Sequence, residues 1–187
     1  MYWGERSLTC PVLEQRYQVS LGSFFQVNRF LLPRLVDLVT ESRSGRLAWD
    51  LYSGVGLFAR ALNFEKVTAV ESEGFSCGDL KQNLEGTPHR VVSSPVLEFL
   101  RDIEKSKRTA PELIVVDPPR AGLGKEVCAH LARIAAPNII YVSCDPATLA
   151  RDLQALLQSG YSLQAITLVD LFPQTFHMET VSVLTRG

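Results

Sequence analysis

Two side chains with reactive potential stand near the carboxyl end of the sequence, Cys144 and Glu179. Cys144 closes the apolar run Ile139-Ile140-Tyr141-Val142-Ser143 and is followed at once by Asp145-Pro146. A strand running into a helix at that point places the thiol at the amino end of the helix. Partial positive charge there favours thiolate over thiol. Glu179 lies in the polar patch His177-Met178-Glu179-Thr180, ahead of another apolar run. A nucleophile and a candidate base are therefore both at hand.

A second constellation lies upstream. Asp50-Leu51-Tyr52-Ser53-Gly54-Val55-Gly56 follows a short apolar stretch. Gly54 and Gly56 let the backbone approach a ligand and turn sharply into a helix. Glu71 ends the next apolar run, roughly twenty residues after Asp50, the interval at which an acid meets a ribose hydroxyl pair. The third glycine of a dinucleotide fingerprint is missing. That favours a mononucleoside such as S-adenosylmethionine over a dinucleotide. The competing reading is an ordinary tight turn with a solvated glutamate. Asp117-Pro118-Pro119-Arg120 stops a further apolar run. Two prolines after an acid give a rigid, extended exit with carbonyls free of ladder bonding. Such a loop can hold a planar base or frame a methyl-transfer site; it can also simply end a strand.

The elements that must position these residues alternate. Strands are expected within 8–27 and at 47–51, 67–70, 89–92, 113–116, 139–142, 164–171 and 180–184. Helices are expected at 29–40, 57–62, 74–84, 95–104, 125–134 and 146–157. Alternation of this kind predicts an α/β fold, a mostly parallel sheet with helices on both faces. The last two strands have no helix between them and predict an antiparallel pair at one end of the sheet. Ligands in such sheets bind beyond the carboxyl ends of the strands. Gly54, Gly56, Glu71, Asp117 and Cys144 all fall there.

The chain has 187 residues, 46% of them apolar, and a net charge of −1. That size predicts a single domain over 1–187, with a β-rich lead-in at 1–27 and a core at 28–187. Near-neutrality gives no global footprint for nucleic acid, so any such partner must meet a local patch or another module. No run approaches the length of a membrane span, and residues 1–6 carry no signal-peptide core. Cys10, Cys77, Cys128 and Cys144 are scattered without Cys-x-x-Cys spacing, against zinc or dithiol chemistry and in keeping with a reducing cytoplasm. The first three read as packing residues. His177 is as well placed to shape the Glu179 site as to be structural. Arg101, Lys105, Lys107 and Arg108 read as a solvated helix end, whereas Arg29, Arg34, Arg120 and Arg151 are better placed to pair phosphate.

Five segments occur together in order: Ser23-Phe24-Phe25-Gln26-Val27-Asn28, Asp50 to Gly56, Asp117 to Arg120, Ser143-Cys144-Asp145-Pro146, and Phe172 to Thr180. With them the chain resembles the catalytic domain of the RNA uracil-C5 methyltransferases, which make 5-methyluridine in transfer or ribosomal RNA. The likeness runs from about residue 20 to the end. It implies a Rossmann-like class I S-adenosylmethionine-dependent methyltransferase fold with a seven-stranded sheet and an antiparallel terminal strand. It implies that Gln26, Tyr52, Gly54, Gly56, Glu71 and Asp117 bind S-adenosylmethionine, with Asp117 between cofactor and target base. Cys144 would be the nucleophile at uracil C6 and Glu179 the base at C5, with no metal. The partner would be a structured RNA presenting an unstacked uridine.

The sequence departs from the family pattern at three places. Val91-Val92-Ser93-Ser94-Pro95 lacks an acid near the adenine, and Leu57 stands where some members have a polar cofactor contact. The N-terminal RNA-binding barrel of many members is not expected, and Cys10 alone cannot hold an iron–sulfur cluster. Two other readings stay open: a methyltransferase with a nitrogen or protein acceptor, and a domain that binds cofactor or RNA without chemistry.

Overall fold

Leu113–Val116 is apolar and buried at every position, as is Ile139–Val142. Only strands covered on both faces can use such runs. The computed structural model describes residues 5–106, 109–175 and 177–187. The first four residues, Lys107 and Arg108 of the basic cluster, and Phe176 of the last motif lie outside them.

The elements are β1 (Ser7–Val12), β2 (Gln15–Ser20), α1 (Leu32–Thr40), β3 (Ser44–Leu51), α2 (Leu57–Ala61), β4 (Asn63–Glu71) and α3 (Gly74–Asn83). They continue with β5 (Arg90–Ser93), α4 (Val96–Ser106), β6 (Leu113–Val116), α5 (Gly124–Ile134), β7 (Asn138–Ser143), α6 (Pro146–Gln158), β8 (Tyr161–Val169) and β9 (Glu179–Arg186). Seven strands form one sheet in the order β5-β4-β3-β6-β7-β9-β8. β3, β4, β5, β6 and β7 run parallel; β9 is antiparallel to both β7 and β8. The expected terminal pair is present, with β9 inserted between β7 and the edge strand β8. No helix among the described residues is long and apolar enough to cross a membrane.

Helices α1, α2 and α3 cover one face of the sheet and α4, α5 and α6 the other, each with its own apolar cluster. The β1–β2 hairpin joins the first cluster through Val12, Tyr17 and Val19. Polar bonds fasten it as well. Asp79 on α3 accepts from Ser20 N at 2.7 Å and from the Ser20 and Ser23 hydroxyls, each at 2.6 Å. Asn83 accepts from Gln18 N at 2.7 Å and donates to the carbonyls of Gln18 and Val55 at 2.9 and 2.8 Å. A satisfied buried network of this kind fixes one arrangement.

Boundaries moved where tertiary bonds intervene. The strand character expected as far as residue 27 ends at Ser20, because Asp79 takes up the backbone there. The helix expected from Arg29 starts at Leu32; Asn28 Oδ1 accepts from Phe30 N and Leu31 N, each at 3.2 Å, and holds a turn ahead of it. β8 starts at Tyr161, three positions before the apolar pattern suggested. Gly160, at φ +99°, breaks the chain out of the helical turn, and the Tyr161 hydroxyl donates to Ala136 O at 2.9 Å in the core.

Candidate active site

The carboxyl ends of β3, β4, β6 and β7 share one edge of the sheet, and β9 begins there. The β3–α2 turn is built around Asp50, which is fully buried. Its Oδ2 accepts from the Ser53 hydroxyl and from Ala59 N at 2.9 Å. Burial outweighs those bonds and, with Glu71 nearby, pushes the Asp50 carboxyl up to about 7. Tyr52 enters the turn at φ +64° while its ring packs against the cluster on the far face. Gly56 has φ +93°, and a Cβ there would stand 2.7 Å from Leu80 Cδ1. A Cβ on Gly54 would meet open space. The two glycines thus differ: Gly56 is required by packing and Gly54 leaves room on the open side.

Glu71 closes this turn. Its Oε2 accepts from Gly54 N at 2.9 Å, and its Oε1 from Ser72 N and Glu73 N at 2.6 and 2.8 Å. Spacing predicts a ribose at Glu71; the structure adds a backbone duty to the same carboxylate, which keeps about one acceptor position open. Gln26 is half-buried, and its Oε1 is fully buried with no hydrogen-bond partner among the described residues; Asp50 Oδ1 is in the same condition. Buried polar atoms of this kind call for an explanation, and a ligand group is one.

The second constellation is assembled by β-sheet register. Ser143 of β7 lies opposite Thr180 of β9, and the Thr180 hydroxyl donates to Ser143 O at 3.1 Å. Cys144 and Glu179 flank that pair. Burial pushes Glu179 up to about 7. Asp117, at the end of β6, is raised well above the carboxylate range by burial and by the charges of Glu179 and Asp50. Neither carboxyl has a hydrogen-bond partner among the described residues.

The thiol behaves differently from the expectation drawn at the helix amino end. Burial raises Cys144, Glu179 and Asp117 add to the rise, and only Arg120 and a backbone bond oppose it. The first turn of α6 is spent on its own cap: Asp145 Oδ1 accepts from Thr148 N at 2.8 Å. Burial, with two carboxyl groups beside the sulfur, outweighs what the helix end offers. The Arg120 guanidinium lies 3.4 Å from His177 Nε2, and the Phe172 ring meets the His177 imidazole edge-on.

Gln26, Gly54, Gly56, Glu71, Asp117, Cys144 and Glu179 therefore all sit at one edge. Among the described residues no group of three His, Cys, Asp or Glu side chains is set to hold a metal. A concavity of about 460 Å³ lies elsewhere, by the amino ends of β3, β4 and β5, lined by Leu47, Trp49, Lys66, Arg90 and Phe99 among others. Asn28, marked in the sequence only as part of a motif, donates through Nδ2 to Leu171 O at 2.8 Å and ties the Gln26 segment to the loop that leads to Glu179.

A model of the tRNA (uracil-5-)-methyltransferase family matches residues 93–187, just over half of the sequence. The chain belongs to the tRNA (uracil-5-)-methyltransferase family. The matched part of this family member includes Asp117, Cys144 and Glu179, whereas Gln26 to Glu71 precede it. A Thermotoga maritima protein described as an uncharacterized RNA methyltransferase is 36% identical over 92% of the chain, and a Streptomyces avermitilis protein of the same description is 38% identical over 90%. The chain spans 40% of the length of each. The crystal structure of Pyrococcus abyssi tRNA (uracil-54, C5)-methyltransferase with S-adenosyl-L-homocysteine superposes with a TM-score of 0.83 at 30% identity, over 98% of this chain and 45% of that one. The methyltransferase fold expected for this family is the fold found.

Proposed function

We propose that this chain carries the site for methylating C5 of a uridine in RNA, with S-adenosylmethionine as the methyl donor. The observation that carries the reading is the β7–β9 register, which sets one thiol and one buried carboxyl side by side. The solved relative with S-adenosyl-L-homocysteine supports the cofactor.

The residues present fit that cofactor. Gln26 Oε1 is buried without a partner among the described residues, and the surface over Gly54 is open. Gln26, Tyr52 and the Gly54–Gly56 turn would hold its methionine part, Glu71 its ribose, and Asp117 would stand between it and the target base. When bound it supplies a methyl group on a positively charged sulfur.

Uracil C5 is a weak nucleophile. The Cys144 thiolate adds to C6, and the electron pair of the C5–C6 double bond moves onto the ring as an enolate. C5 then has carbanion character and takes the methyl group, whose bonding pair stays on the donor sulfur. Glu179 removes the C5 proton, the C5–C6 double bond re-forms, and the thiolate leaves. Glu179 suits this task because its ionisation falls near neutrality. The base must leave its stack to enter the site, so an unstacked uridine in a structured RNA is the substrate.

RNA containing 5-fluorouridine tests the reading, because fluorine blocks the proton removal. With S-adenosylmethionine present, a covalent protein–RNA complex accumulates, and Cys144→Ala abolishes it. Full turnover by Cys144→Ala, or methyl transfer to a nitrogen or to protein, would sink the proposal. Cofactor binding with no 5-methyluridine from tRNA or rRNA would leave a binding domain instead.

A further inference from the structure

Residues 120–124, which follow the two prolines, are bound almost entirely by α6. The Thr148 hydroxyl reaches Arg120 O at 3.1 Å and shares its one proton between it and Asp145 Oδ1, also at 3.1 Å, and Arg151 Nη2 donates to Ala121 O at 2.8 Å. Asp152 accepts from Leu123 N at 2.6 Å and Gly124 N at 3.3 Å, and also from the Tyr141 hydroxyl at 2.8 Å and Arg151 Nε at 2.9 Å. Positions 148, 151 and 152 share one face of a helix. Gly122, at φ +73°, lets the loop in: a Cβ there would stand 2.4 Å from Asp152 Oδ2 and 2.7 Å from Arg151 Nη2. Asp152 is 1% exposed, so its four donors are a satisfied buried set.

The same helix starts beside Cys144. We propose that Thr148, Arg151 and Asp152 are positioning residues, which hold the Arg120 loop against α6 so that the Arg120 guanidinium stays beside the nucleophile. The inference rests on the function proposed above and assigns these three side chains a part in it. Among the described residues, the charged groups that bear on the thiol are Glu179 from β9, Asp117 from the end of β6 and Arg120, whose guanidinium also meets the His177 ring; Asp145 adjoins it in the same loop. Arg120 is the one side chain among them whose charge favours thiolate. If the loop loosens, that cation moves off and the two carboxylates remain. The clamp thus offsets part of the cost of placing a nucleophile next to its own base.

Alkylation of the full chain by iodoacetamide across pH 6 to 10, read at Cys144 by peptide mass spectrometry, tests this without RNA or cofactor. Cys10, remote on β1, is the internal reference. Thr148→Val moves the Cys144 profile to higher pH by about half a unit, a roughly threefold slower reaction at neutrality, and Thr148→Ser restores it. Asp152→Asn and Arg120→Ala shift it the same way. Arg120→Ala with Thr148→Val shifts it no further than Arg120→Ala alone, because both act through one guanidinium. Profiles of Thr148→Val and Asp152→Asn that superpose on the parent, even with a lowered Tm, overturn the proposal; if Asp152→Asn does not fold, Thr148→Val decides. A shifted profile with no adduct on 5-fluorouridine RNA would refute the function and leave the clamp standing.

Discussion

The two constellations at the sheet edge contain the same kind of group, buried or half-buried carboxyls, and bond them differently. In the β3–β4 half, Asp50 Oδ2 and both oxygens of Glu71 accept from backbone N–H groups and a serine, so the turn is largely bonded by the chain itself, with Asp50 Oδ1 the one oxygen left over among the described residues. In the β6–β7–β9 half, Asp117 and Glu179 face each other and a thiol with no bonding partner among the described residues. A cradle works best rigid and satisfied; a reacting group works best unsatisfied, because a carboxylate already bonded is a poor base. The strain of the second half is carried by its frame: the β7–β9 ladder on one side and the α6 clamp on the other.

Breaking the reacting half has the largest effect. Cys144→Ala eliminates the RNA adduct and lowers turnover by about a thousandfold or more, measured as methyl incorporation. Glu179→Gln lowers turnover comparably but keeps the first step, so adduct builds up on ordinary uridine RNA and is visible on denaturing gels. Substituting the cradle acts on binding and stability instead. Gly56→Ala meets both a positive φ and Leu80; it destabilises by about 2 kcal/mol and weakens cofactor binding, measured by thermal melts and calorimetry.

The halves also separate by pH. Glu179 must be ionised to accept a proton, so turnover rises as pH passes through about 7, and the raised thiol extends that rise to higher pH. Stability moves the other way. Asp50 and Glu179 have folded values of about 7, above their unfolded ones, so their contribution is complete below about pH 4 and is lost as pH rises through 7. Melting temperature should therefore fall across the range in which activity climbs. Asp50→Asn flattens part of the first curve and leaves the shape of the second. The smallest effect is expected for Glu71→Gln, which still accepts one of its backbone donors and costs about 1 kcal/mol.

Much of this was legible in sequence because the determinants are local. Apolar runs at Leu113 and Ile139, the Gly54 and Gly56 turn and the Asp145-Pro146 helix start each follow from neighbouring residues. The strand order, with β9 between β7 and β8, was not, since no local property of Thr180 or Val181 names its partner. Glu71 was placed correctly at the edge, but its duty to Gly54 N depends on a contact between two loops. No local property marks Asp79 or Asp152; only the fold brings Ser20 and Ser23 to one and Leu123 to the other. The thiol illustrates a different limit. Its helix-end position is written in the sequence, but the burial that chiefly raises it, and the charges of residues 117 and 179 that add to the rise, come from the fold.

β9 has a consequence in time. β8 leaves the ribosome first, yet it cannot join the sheet, because its place is beyond a strand that has not been made. When β9 slots in beside β7, it completes the sheet and delivers Glu179 to Cys144 in the same motion. A nascent chain can thus have its thiol and its cradle in place before the carboxyl that, on the proposed function, completes the reaction has joined them.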